Sequence, residues 1–134
     1  MVLLVERPGR PLTAKEIAGT LNLSEAHLAK VLQRLAKAGL VRSARGPKGG
    51  FTLAKPGDGI TLLDVYETIE GKLEPLNCIL NSRMCTGDFC IFGLLLSKVS
   101  SEVREYLTTR RLSDFTGNLL GGTEVTRAKE NSQN

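Results

Sequence analysis

The sequence predicts a mostly α-helical fold with one small β-hairpin and a long C-terminal helix, and three stretches predict it. Two short helical patterns separated by a three-residue break occupy residues 13–39. A glycine-rich turn between two strand-like runs follows over 40–54. One long helical pattern runs over about 91–110.

Thr13 followed by Glu16 has the form of a capping box, in which the Thr13 hydroxyl accepts from the Glu16 backbone N–H. Ile17 and Leu21 recur at helical spacing, so a short helix runs to about Leu21. Asn22, Leu23 and Ser24 break it, and Ser24 suits the N-cap of a second helix. There Leu28, Val31, Leu32 and Leu35 lie at i, i+3, i+4 and i+7, one apolar stripe for a core. Gly39 can take the left-handed conformation that closes a helix. Two helices around a short turn form the helix-turn-helix pattern, whose second helix can enter a DNA major groove. An ordinary helical hairpin has the same spacing.

The next residues favour the DNA reading. Leu40 to Ala44 reads as a strand, Arg45-Gly46-Pro47-Lys48-Gly49-Gly50 as a turn, and Phe51 to Ala54 as the returning strand, ended by Pro56-Gly57. A hairpin at this place is the wing of a winged helix. Its tip presents Arg45 and Lys48 to phosphates or a minor groove.

Charge points the same way. Net charge is +4, but residues 10–56 hold nine Lys/Arg against two Glu, a local +7, while the remainder is −3. Such a concentration marks a nucleic-acid face, against the plainer reading of a solvated basic surface. Double-stranded DNA, as a pseudo-palindromic operator, is the expected partner. Neither an apolar run of about 18 residues nor a signal-peptide pattern occurs, so the expected compartment is the cytoplasm, with no membrane partner. No nucleophile–base pair stands out, the single histidine is His27, and the RGPKGG stretch lies in a hairpin rather than at a helix start; an enzyme and a small-molecule substrate are not expected.

Val2 to Val5 reads as the last turn of a helix expected to begin earlier, since so short a helix is not stable alone. Thr61 with Asp64 predicts another capped helix, with Leu62, Val65, Tyr66 and Ile69 buried and Gly71 closing it. Residues 72–90 show no period and read as a loop. Phe92, Leu96, Val99, Val103 and Tyr106 are spaced 4, 3, 4 and 3, a heptad seam of about two repeats on a helix roughly 30 Å long. The seam can pack on its own domain or pair with a second copy; a homodimer is favoured, because palindromic DNA is read by two-fold symmetric proteins. Leu112 to Phe115 could form one more short turn. The expected organisation is a DNA-binding unit at 1–71, a cysteine loop at 72–90, a dimerisation helix at 91–116, and a disordered tail at 117–134.

Cys78, Cys85 and Cys90 give C-x6-C-x4-C on one loop, and the odd number argues against a disulfide framework. Thiolates suit iron–sulfur clusters or zinc, while incidental thiols or a redox pair remain open on spacing alone. The spacing differs from zinc-ribbon pairs.

The order of parts resembles the Rrf2 family of bacterial transcription regulators over about residues 2–116. The residues that carry it are EIA at 16–18, Gly39-Leu40-Val41, SARGPKGGF at 43–51, TLLDV at 61–65, the cysteine triplet and the long helix after Cys90. The resemblance implies a dimeric winged helix-turn-helix protein with a [2Fe–2S] or [4Fe–4S] cluster on Cys78, Cys85 and Cys90, sensing iron–sulfur status, nitric oxide or redox state. Where some members place a histidine as fourth ligand this sequence has Gly93, and others use a carboxylate near the partner's N-terminus. Glu6, Glu74 and Asp88 are oxygen candidates that nothing in the sequence separates.

On that frame Ser24, Glu25, His27, Lys30 and Gln33 are expected to meet base edges or the adjoining backbone. Glu25 can accept from cytosine, and His27 and Lys30 can donate to guanine. Arg34, Lys37 and Arg42 are expected to hold phosphates, with Arg45 and Lys48 placing the wing. Arg34 has a second reading, as a cation bridging within its own domain.

Overall fold

The computed structural model describes residues 1–79 and 90–117. Helix α1 (Val2–Val5) precedes the helix-turn-helix pair α2 (Ala14–Leu21) and α3 (Glu25–Lys37). Strands β1 (Val41–Ala44) and β2 (Gly50–Leu53) form the hairpin, followed by α4 (Leu62–Glu70) and α5 (Leu95–Thr109). Single 3-10 turns cover Gly57–Gly59 and Leu112–Phe115.

Local chemistry accounts for the helix limits. Both predicted capping boxes form: Glu16 N–H donates to Thr13 Oγ1 at 3.1 Å while the Glu16 carboxylate accepts from Thr13 N–H at 2.8 Å, and Thr61 and Asp64 repeat the exchange before α4. Accepting these donors holds the Glu16 and Asp64 carboxyls below their usual range. Asn22, in the left-handed conformation at φ 52°, ends α2. Ser24 caps α3, accepting from the His27 N–H at 3.4 Å.

At the far end of α3, Gly39 has φ 73°; its N–H donates to the Ala36 carbonyl, and the Leu40 N–H donates to that of Leu35. This is the Schellman closure, with Leu35 and Leu40 both buried in the core. It also explains why Leu40, expected in the first strand, lies outside it. Its N–H is committed to the helix end, so β1 begins at Val41.

The hairpin is antiparallel, with Val41 opposite Leu53 and Ala44 opposite Gly50. Gly50 belongs to β2 rather than to the turn. Leu12 adds a bridge on the outer side of β2, exchanging both backbone hydrogen bonds with Phe51 at 3.0 and 2.8 Å. Gly50 has φ 150°, and a Cβ there would stand 2.8 Å from the Leu12 carbonyl, so the chain needs glycine where the two segments cross.

The core gathers Leu3, Leu4, Leu12, Ile17, Leu32, Leu35, Leu40, Val41, Ile60 and Leu112, with Leu28, Val31, Leu62, Val65 and Ile69 packed around it. Two further expectations are corrected here. Tyr66, expected on the buried face of α4, is 37% exposed; that face is made by Leu62, Val65 and Ile69. The last helix begins at Leu95, not Ile91; residues before it form a turn in which Gly93, at φ 51°, donates to the Cys90 carbonyl. The expected short turn at Leu112–Phe115 forms, and it belongs to the core, with Leu112 buried against α1 and the Gly57–Gly59 turn.

Candidate nucleic-acid interface and cysteine loop

Helix α3 has two faces. Leu32 and Leu35 are buried, with Leu28 and Val31 half-buried beside them, while Ala26, Lys30, Gln33 and Lys37 lie opposite at spacings of 4, 3 and 4, all exposed. Glu25 and His27 flank that outer row in the first turn, also exposed. The small side chain of Ala26 leaves the middle of the first turn open to a base edge or a thymine methyl. Ser24 uses its oxygen as a cap and keeps its hydroxyl proton free to donate.

Arg34 stands apart from this row. Its Nη1 donates to the Ile69 carbonyl on α4 at 3.2 Å. The bridging reading is therefore the one the geometry shows, with a helix-end carbonyl in place of an acid.

The wing follows directly from α3. Arg42 sits across from Thr52 on β1, exposed, and Arg45 and Lys48 occupy the loop, which is tied by a Gly49 N–H to Gly46 carbonyl bond at 2.9 Å. A Cβ on Gly49 would collide with the Ala44 carbonyl, so the tight wing tip requires glycine. Lys55, exposed just beyond β2, adds a cation that the motif-based reading did not include. Among the described residues the one ion pair is Arg10 with Glu16 at 3.2 Å. Lys30, Lys37, Arg42, Arg45 and Lys48 thus meet no described carboxylate and leave their charge available to phosphates.

Cys78, within the cysteine loop, and Cys90, at its end, are exposed and form no disulfide among the described residues. Cys85 and the candidate oxygen ligand Asp88 lie outside the described residues, as does the expected tail beyond Gly117. Among the described residues no three His, Cys, Asp or Glu side chains come close enough to hold a metal. Of the other oxygen candidates, Glu74 is exposed, and Glu6 accepts from the Gly117 N–H at 2.9 Å.

The approach to Cys78 is fastened. Leu73 N–H donates to Glu67 Oε1 at 3.1 Å, the Arg104 guanidinium donates to the Leu73 carbonyl, and Leu76 N–H donates to Ser100 Oγ at 3.0 Å. These bonds give α5 a definite inner face of Leu96, Ser100, Arg104 and Leu107, all half-buried. Its outer face carries Leu95, Val99, Val103 and Tyr106, between 45% and 56% exposed, with Phe92 at 39% in the preceding turn. Leu96, expected on the pairing seam, is an inward residue, and Leu95 takes its place outside.

The profile of the Rrf2 family, described as an iron-dependent transcriptional regulator, matches residues 1–118. This chain belongs to the Rrf2 family. As an Rrf2 protein it is a DNA-binding transcription regulator of winged helix-turn-helix architecture, not an enzyme. It is 32% identical over 116 residues to the HTH-type transcriptional regulator CymR of Bacillus subtilis (strain 168), covering 86% of this chain and 80% of that one. It is 27% identical over 108 residues to the regulator IscR of Erwinia tasmaniensis, covering 81% and 66%. Among solved structures, CymR, the global cysteine regulator of B. subtilis, superposes with a TM-score of 0.70 at 31% identity, covering 85% of this chain and 84% of that one. T. potens IscR superposes at 0.67 with 30% identity, covering 85% and 75%. No helix among the described residues is long and apolar enough to cross a membrane.

Proposed function

We propose that this Rrf2 protein is a homodimeric, cytoplasmic regulator whose operator binding is set by an iron–sulfur cluster on Cys78, Cys85 and Cys90. The observation that carries the reading is the state of the two described thiols. Both are exposed and form no disulfide among the described residues, and they stand where the chain leaves the strap at 72–76, bound to α5, and where it enters the turn before α5. Soft thiolates in that position fit an iron–sulfur centre. The family's iron-dependent description and the likeness to IscR support the same choice. When bound, the cluster supplies a centre sensitive to oxidants and nitric oxide.

The chain's own residues do the rest. Lys30, Gln33 and the first turn of α3 face the major groove, Lys37 and Arg42 meet phosphates, and Arg45 and Lys48 set the wing. The apolar outer face of α5 pairs with its copy, placing two recognition helices about 34 Å apart on successive grooves. Ordering or release of the cysteine loop shifts the balance between DNA-competent and incompetent arrangements.

A second reading is a cluster-free thiol sensor. It is favoured by the likeness to CymR, a structure of whose Staphylococcus aureus form is described as oxidized and superposes with a TM-score of 0.69 at 27% identity, covering 87% of this chain and 86% of that one. The two separate on protein purified without oxygen, by visible absorption, iron content and gel shift on its own promoter. Cluster binding gives colour and iron that Cys78→Ala removes, together with a change in operator affinity. Colourless, iron-free protein after anaerobic reconstitution, with DNA binding intact, removes the cluster and leaves the thiol reading.

A further inference from the structure

The geometry points to Arg34 as a positioning residue that links the cysteine loop to the recognition helix, rather than as a phosphate ligand. This rests on the reading of α3 as the helix that enters the groove.

The link is built from bonds already in place. The segment leading to Cys78 leaves α4 at Gly71 and is held at two points. Leu73 lies between Glu67 of α4 and Arg104 of α5, and Leu76 is held by Ser100. Two residues after Glu67, the Ile69 carbonyl accepts from Arg34. That carbonyl is in the last turn of α4, where helix carbonyls lack internal partners and carry the negative end of the helix dipole, a natural seat for a guanidinium. The final turn of α4 therefore touches the strap with one residue and the recognition helix with another.

The position of Arg34 on α3 is as telling. It lies on the flank between the buried row and the outer row of Ala26, Lys30, Gln33 and Lys37, turned toward α4. Displacing the strap moves the end of α4, and through the Arg34 bond it changes the roll of the outer row. Arg34 thus sets where the reading side chains sit without reading anything itself.

Hydrogen exchange on the whole chain tests the link without DNA or a cluster. Arg104→Gln, with Ser100→Ala as a second way of freeing the strap, should speed exchange of the strap amides and of α3 residues 30–37 by about fivefold, the effect of one net hydrogen bond. In an Arg34→Gln background the strap should still respond and α3 should not, a non-additive pair of changes. If α3 exchanges as in the wild type when the strap is freed, or responds equally without Arg34, the link does not exist. Gel shifts over a range of salt give the second readout. Arg34→Gln should weaken binding by the same factor at every salt, whereas Lys37→Gln should lower the salt slope by about 1. A drop of about 1 in the slope for Arg34→Gln would make it a phosphate ligand and overturn the assignment. A wild type that binds no DNA defeats the proposed function, while the exchange experiment still decides the link.

Discussion

The backbone N–H of Leu112 donates to the Ile60 carbonyl at 3.0 Å, and both side chains are shut off from solvent. Leu62 N–H donates to the Arg110 carbonyl on the other side of the same bridge. After α5 the chain thus returns to finish the core of the winged helix. Helix α5 is tied at its C-terminal end to the DNA-binding unit, not hung from it.

Leu112→Ala should accordingly destabilise the whole DNA-binding unit. A fully buried leucine truncated to alanine costs roughly 2–5 kcal/mol, because both the transfer energy and a cavity are involved. Urea unfolding should show a lower midpoint with an unchanged slope. A change under 0.5 kcal/mol would mean that the return segment is dispensable to the core.

The capping carboxylates predict an acid limb. Asp64, with its carboxyl held below the ordinary range by the Thr61 N–H, is charged in the folded chain at pH values where the unfolded chain has begun to bind a proton. Its contribution is therefore complete above the unfolded value of about 4 and is lost as pH falls through the lower folded value. Glu16, held down by Thr13, acts in the same direction. Asp64→Asn should lower stability near neutral pH and flatten the acid limb. If mutant and wild type lose stability in parallel below pH 4, the cap plays no part.

The exposed strip on α5 predicts self-association. Val103→Asp puts a charge in the middle of Val99, Val103 and Tyr106, which are already about half exposed, so the monomer should keep its fold. Sedimentation should show a dimer for the wild type and a monomer for the variant, with helical circular dichroism retained. Dimer persistence in the variant would place the interface elsewhere.

The wing cations predict salt dependence. Arg45→Ala and Lys48→Ala should each weaken operator and unrelated DNA alike and each lower the salt slope by about 1, because each releases one counterion fewer. An unchanged slope in both variants would remove the wing from the interface.

Much of this was readable one residue at a time. The two capping boxes, the break at Asn22, the stripe on α3 and the glycines of the wing are local: each is decided by residues three or four positions apart, or by a conformation that glycine tolerates. The clustering of cations along residues 10–56 was likewise plain, since charge needs no fold to be counted. The errors fell where a choice depended on distant neighbours. Leu95 and Leu96 are both apolar and adjacent, so periodicity could not decide which faces the strap. For Arg34 the sequence left two readings open, and the Ile69 carbonyl it bonds lies 35 positions away. The turn at Leu112 was expected, but its place in the core was not, because the residues it packs against lie far away in sequence.

By itself, then, the sequence determined the kind of elements, the capped limits of α2, α3 and α4 and the basic face, through interactions a few residues long. Tertiary structure alone decided which face of α5 is left exposed, that the segment after it completes the core, and that Arg34 bonds the end of α4. Those outcomes depend on contacts across 24 to more than 50 positions, such as Leu76 with Ser100 and Leu112 with Ile60. Only the folded chain brings such groups within bonding distance, and no local spacing records them.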